Sequence, residues 1–196
     1  MFDAMNIVDE SSPDTLEIKV PAGKVWDEDA QRFFIIEKEQ TIVLKHSLIS
    51  ISKWESIWHK PFLAKKPPKT GEEVVSYIKC MTINKNVNPY AYYSIPESEM
   101  ARIEKYMNDP KTARRPNSDN DKRKSNETPT AEVIRGQMIL LNIPSEYETW
   151  HINRLWALIR YMALVNTPPK KVSPAQHYKH YRELNAMRRK MLGSKG

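Results

Sequence analysis

Cysteine occurs once in the 196 residues, as Cys80, which excludes an internal disulfide framework and any multi-cysteine zinc site. A lone cysteine of this kind is expected to be a small buried side chain. Glycine occurs five times, too seldom for a backbone cradle around phosphate, and the chain has no Walker-type loop, GxGxxG or GxSxG. HExxH is also missing. Of His46, His59, His151, His177 and His180, the last two alone share helical i, i+3 spacing, and outside any metal-binding motif they read as surface histidines rather than a metal site. Long apolar runs are lacking as well, so no membrane span is expected. Met1-Phe2-Asp3-Ala4 lacks the basic-then-apolar order of a signal peptide, which points to a cytoplasmic protein. The acidic pairs Glu72-Glu73 and Glu97 with Glu99 fall at predicted helix starts, where the helix dipole accounts for them. These absences disfavour an enzyme and imply no cofactor and no metal.

What the chain does have is polarity and proline. Hydrophobic residues make up 40%, the mean hydropathy is -0.66 and there are 14 prolines, a composition of short elements joined by solvated connections. The net charge of +7 and a pI near 9.3 fit an acidic partner, nucleic acid included. The nucleic-acid reading would use Arg114, Arg115, Lys122, Arg123 and Lys124 with the last helix. No zinc-finger spacing or RNP-like aromatic motif accompanies them, so it stands as the alternative and nucleic acid is an unlikely partner.

Periodicity divides the chain into a β-rich segment 1–45, a helical segment 46–108, a polar flexible loop 109–127, a core helix pair 128–165, and a linker with a basic helix, 166–196. Leu16, Ile18 and Val20 alternate with Glu17 and Lys19 as a half-buried strand does, and Pro21-Ala22-Gly23 turns the chain. Residues 33–36 and 41–44 are β-branched or aromatic, and Glu37-Lys38-Glu39-Gln40 between them predicts a hairpin. Residues 47–58 fit either strand alternation or a helical face through Leu48, Ile51 and Trp54 or Glu55, with helix favoured. Thr70-Gly71-Glu72-Glu73 is a capping box, and Ser94-Ile95-Pro96-Glu97 opens a helix with Met100, Ile103 and Met107 on its stripe. Tyr90, Tyr92 and Tyr93 lie in a loop and cover apolar surface. Residues 109–127 are nearly free of apolar side chains and cannot form a core. Ser173-Pro174-Ala175-Gln176 starts a basic final helix with His180, Leu184, Met187 and Met191 at heptad-like spacing. The fold class expected is α+β, predominantly helical, with a small N-terminal antiparallel sheet.

Within 128–165, Thr128 caps a helix with Pro129 in first position and Ile134, Met138 and Leu141 on its stripe, ended by Pro144. Ser145-Glu146-Tyr147-Glu148 reads as a further capping box, opening a helix with Ile152, Leu155, Trp156, Ile159 and Met162 on one stripe. A second flank carries Trp150, Arg154, Ala157 and Tyr161. The default reading makes the tryptophans core aromatics, and the sharper one makes one flank an exposed site for an apolar partner.

The run from His46 to Ser56 with Lys60-Pro61-Phe62-Leu63, then Lys69-Thr70-Gly71-Glu72-Glu73 and Tyr77 to Thr82, resembles the tail assembly chaperones of long-tailed bacteriophages. Thr130 to Ile134, Leu141 to Pro144, Trp150 to Leu155, and Leu184-Asn185-Ala186 running into Arg188-Arg189 are similar to the same family. The chain departs from it at Arg135-Gly136-Gln137, where the family carries bulky aromatic residues. The resemblance implies a helper absent from the mature virion and working in the cytoplasm of the infected host. Such a helper coats the apolar, helical tape measure protein until tail-tube subunits polymerise around it, itself able to form a homo-oligomer. The residues expected to meet the partner are Trp54, Trp58, Trp150, Arg154, Ala157 and Tyr161.

Overall fold

The computed structural model describes residues 14–27, 31–64, 66–113, 128–166 and 174–193. The fold is α+β and predominantly helical, with antiparallel strands near the N-terminus. The chain divides into two compact units, Met1–Ala163 and Leu164–Gly196.

Strands β1 (Leu16–Val20), β2 (Gly23–Asp27), β3 (Arg32–Ile36) and β4 (Gln40–Leu44) make one interrupted antiparallel ribbon. β1 pairs with β4 from Leu16↔Leu44 to Val20↔Gln40, and β2 pairs with β3 from Gly23↔Ile36 to Asp27↔Arg32. The hairpin expected between 33–36 and 41–44 is therefore corrected: those residues follow one another along the same arm. Pro21, with no N–H to give the ladder, sits at the break in the other arm. Across that break residues 37–39 face residues 21–22, and the extra residue changes the phase. Ile18 and Val20 are buried, and further on Val25 turns inward while Trp26 is exposed. The outer edge of β4 is closed by the chain leaving the second helix, Ile83 N donating to Val43 O at 3.0 Å and Lys45 N to Met81 O at 2.8 Å.

Helix α1 (Leu48–Trp58) is the hub. Its helical reading prevails because Ser47 and Ser50 cap it reciprocally, each hydroxyl accepting the other's backbone N–H. Leu48, Ile51, Trp54 and Glu55 then share one buried stripe. The helix ends at His59, in the left-handed region at φ 51°, whose N–H donates to Glu55 O. α1 packs on α2 (Gly71–Met81), on α4 (Ala131–Leu140) and on the 3-10 turn Ser145–Thr149. α2 opens on the predicted box, Thr70 N donating to Glu73 Oε2 at 2.8 Å and Glu73 N to Thr70 Oγ1 at 3.2 Å. A 3-10 turn, Pro89–Tyr93, buries Tyr92, stacks Tyr90 on Phe34 and leaves Tyr93 exposed. α3 (Glu97–Asn108) buries Ile103 and Tyr106 beside β1.

The region 128–165 departs from its expected form. The cap of α4 is Thr130, two residues after Thr128, its hydroxyl accepting from Val133 N. Residues 145–149 form the 3-10 turn without a side-chain cap, and α5 (Ile152–Asn166) begins after it. The Glu148 carboxylate is taken instead by Arg135, whose Nε and Nη2 donate to it at 3.1–3.2 Å while Nη1 reaches Ser52 Oγ at 3.0 Å. α4 thus joins α1 through Arg135, and the centre of the core is α1 rather than a pair formed by α4 and α5. The second unit contains the end of α5 and α6 (Pro174–Leu192).

Candidate functional site

The six residues expected to bind a partner fall into two groups. Trp54 and Trp58 stand one helical turn apart on α1, rings stacked at 6.1 Å between centroids. Trp54 is 1% exposed, packs edge-on to Phe62 at 5.2 Å, and its indole Nε1 donates to Glu73 O at 2.9 Å. It is a core residue, a correction to its expected role, because α2 covers α1 on the side where the two helix caps meet. Trp58 is half-buried and donates to Ser76 Oγ at 3.0 Å. Lys60 and Lys69 close this corner. Lys60 Nζ is 2.6 Å from Glu73 Oε1, and its hydrogen bond, ahead of the Thr70 N–H, draws the Glu73 carboxyl below its usual range. Lys69 Nζ lies 4.5 Å above the Phe62 ring, and burial lowers its pKa.

Of the second group, Arg154, Ala157 and Tyr161 share one flank of α5, whereas Trp150, expected on the same helix, stands just before it in extended backbone and joins the flank through Arg154. Trp150 is half-buried between the Tyr147 ring, 4.3 Å between centroids, and the Arg154 guanidinium, 3.9 Å above its face. Arg154 also donates to Asp14 Oδ2 at 3.2 Å, which anchors it in a stretched, ring-covering posture. Ala157 is half-buried and Tyr161 is 44% exposed. Beside Ala157 opens a groove of about 480 Å³ lined by Asn108, Pro110, Thr112, Pro129, Asn153, Trp156 and Arg160 as well. Arg160 stands 5.9 Å from the Trp156 ring, repeating the tryptophan–arginine pairing six residues later. Sequence reasoning passed over this second pair, although Trp-x-x-x-Arg occurs at both 150–154 and 156–160. Asn153 supports the groove wall by donating to Met107 O at 3.0 Å and Asp109 O at 2.7 Å. An aromatic and small-residue face edged by guanidinium groups suits an apolar helix carrying acidic or polar flanks.

The alternative nucleic-acid residues Arg114, Arg115, Lys122, Arg123 and Lys124 lie outside the described residues, as does the stretch 114–127 of the expected polar loop. Among the described residues no group of three or more His, Cys, Asp or Glu side chains could hold a metal, and no helix is long and apolar enough to cross a membrane.

A polar node that the sequence did not reveal lies where β4 hands over to α1. His46 and His151 are 3% and 0% exposed, with ring centroids 5.1 Å apart. His46 Nδ1 is hydrogen-bonded to the Tyr77 hydroxyl, His46 N donates to Tyr106 Oη at 3.0 Å, and the Tyr106 hydroxyl donates to Asp14 O. The His151 ring bonds to Tyr106 O at 3.1 Å through Nε2, while Nδ1 accepts from Asn153 N at 3.3 Å, which makes Nε2 the protonated nitrogen. Ile152 N donates to His46 O at 2.9 Å. Burial, reinforced by His151, pushes His46 down to about 3, and burial lowers His151 too. Both imidazoles are neutral at pH 7, and the node ties the N-terminal segment, α2, α3 and α5 to one junction. Apart from the bond between Asn153 and His151, each joins residues distant in the chain, so no short motif could have signalled the node.

Compared with protein-family models, with curated proteins and with solved structures, the chain matches none.

Proposed function

We propose that this chain is a tail assembly chaperone of a long-tailed bacteriophage: it binds apolar helical segments of the tape measure protein, keeps that protein soluble in the host cytoplasm, and helps to bring tail-tube subunits to it. The observation that carries the reading is the surface made by Trp150, just ahead of α5, with Arg154, Ala157 and Tyr161 on the flank of that helix, which the core leaves half open. The resemblance of residues 46–82 and 130–155 to that family supports it from the sequence. A long apolar helix needs shielding along its whole length, and many small proteins, each presenting one such flank and binding weakly, supply shielding that polymerising tube subunits can displace.

The test is co-expression with the tape measure protein of the same phage. The wild-type chain should keep it soluble. Trp150→Ala should weaken that binding by about 2 kcal/mol or more, as loss of an interface anchor does. The variant's own stability should fall by less than about 1.5 kcal/mol, since the ring is only half-buried. A tape measure protein that aggregates equally with and without the chain sinks the proposal. Tight binding to duplex or single-stranded DNA that persists at physiological salt would replace it with the nucleic-acid reading, which the charge of +7 motivates.

A further inference from the structure

Trp150 is the aromatic centre of the candidate surface, yet its ring is not bare: the Arg154 guanidinium lies 3.9 Å over its face. An apolar side chain that stacks there must first displace a cation. What holds the cation in place is Asp14, whose Oδ2 accepts from Arg154 Nη1 at 3.2 Å. The two ends of this pair differ in freedom. The Asp14 side chain is 9% exposed, and its carbonyl oxygen receives the hydroxyl of Tyr106, itself buried in the histidine node. The Arg154 backbone is equally fixed, its N–H donating at 2.9 Å to the carbonyl of the fully buried His151. The Arg154 side chain, 40% exposed, is the part that can swing.

Its hold on Asp14 is also light. Arg135 spends three nitrogens on Glu148 and Ser52, whereas among the described residues Arg154 gives Asp14 a single hydrogen bond. A carboxylate arriving from solvent can take the guanidinium as a fork of two parallel bonds, the stronger arrangement. Asp14 thus stands in for an acidic group that a partner brings. A helix places side chains three or four residues apart on one surface, so one partner helix can present an apolar side chain to Trp150 and a carboxylate to Arg154 together. A helix without that carboxylate has to open the pair unaided, and its apparent affinity falls with the fraction of chains that are open. The arrangement therefore selects acidic-flanked apolar helices over merely apolar ones, by setting a cost against the partner that lacks the charge.

We propose that Arg154 is a latch on Trp150: held shut by Asp14, it is drawn aside by a carboxylate of the incoming helix, which seats an apolar side chain on the uncovered ring. The proposal rests on the reading of this surface as the tape measure contact and adds how that contact is regulated. The probes are two labelled peptides of about 25 residues, long enough to hold a helix unaided, with a Leu stripe flanked by Glu in one and by Gln in the other. The full chain should bind the Glu peptide at least roughly threefold more tightly, and Arg154→Gln should abolish that preference while tightening the Gln peptide. Asp14→Asn keeps the shape, removes the charge and should tighten both peptides roughly threefold. In the free chain labelled with fluorinated tryptophan, the Trp150 resonance, identified by its loss in Trp150→Phe, should shift in both variants as the cation leaves the ring. Melting curves accompany each variant, and if Asp14→Asn melts early, Arg154→Gln carries the test alone. No binding of either peptide, equal binding of both by the wild-type chain, a preference that survives Arg154→Gln, an unmoved Trp150 resonance, or an Asp14→Asn chain that melts normally and binds no tighter would each overturn the latch. Any of those results with the tape measure protein still kept soluble leaves the proposed function standing. A latch that behaves as expected in a chain that fails to keep the tape measure protein soluble sinks that function instead.

Discussion

Trp54 and Trp150 invite comparison, because each touches another aromatic ring and has a cation over its face. Around Trp54 every direction is closed: the Glu73 carbonyl receives the indole N–H, Phe62 and Trp58 pack on the ring, and α2 lies across it. Around Trp150 the closure is partial, a tyrosine on one side and a tethered arginine on the other. A side chain held by helices from several directions becomes part of the fold, whereas one held by flexible cations on a single helix flank remains available to a partner.

The sharpest break of this comparison is the pair of alanine substitutions. Trp54→Ala should cost about 3–5 kcal/mol in a urea or thermal melt, the usual range for emptying a buried aromatic site. A loss no larger than that of Trp150→Ala would show that the two sites do not differ. Next in size is Glu55, buried on α1, which accepts from Phe62 N and from Ala131 N, both at 2.8 Å. Glu55→Ala leaves two backbone donors without their acceptor and should cost about 2–4 kcal/mol. A change below about 0.5 kcal/mol would mean that water replaces the carboxylate and that α1 does not position α4 in this way.

Acid should act on the histidine node. The folded-state pKa of His46, about 3, lies below the unfolded value of 6.5, so in between the unfolded chain holds a proton that the fold refuses. Stability is therefore complete above pH 6.5 and falls as the pH drops toward about 3, and His151 shifts it the same way. The first part of that fall, above about pH 5, precedes most carboxylate titration. His46→Asn should flatten it, and an unchanged slope would remove His46 from the account. The smallest effect is a gain: a Cβ added at Gly136, inside α4, meets nothing within 4 Å. Gly136→Ala should stabilise by up to about 1 kcal/mol, through helix propensity alone. A loss instead would show that this face of α4 is occupied.

Two capping boxes of the same form show how far local reading reaches. Thr70 and Glu73 close on each other as expected, since nothing else competes for the Thr70 N–H and the Lys60 ammonium strengthens the carboxylate that receives it. Ser145 and Glu148 match the pattern equally well, yet Arg135 takes the carboxylate and the segment becomes a 3-10 turn. On the ribbon, the alternation of Leu16 to Val20 was legible because burial of one face has a period of two, but the partner of each strand was not. Of the site residues, the spacing of Arg154, Ala157 and Tyr161 was visible as one helix flank, while the place of Trp150 ahead of that helix and the burial of Trp54 under α2 were not. By itself the sequence determined most of the helical stretches, the alternation of the first strand, the cap at Thr70 and the net charge, because these follow from neighbours within about a turn of helix or a pleat. The tertiary structure alone decided the ribbon's pairing, the histidine node and which tryptophan stays open, because each depends on a contact between elements whose separation in the chain is no guide to their distance in space.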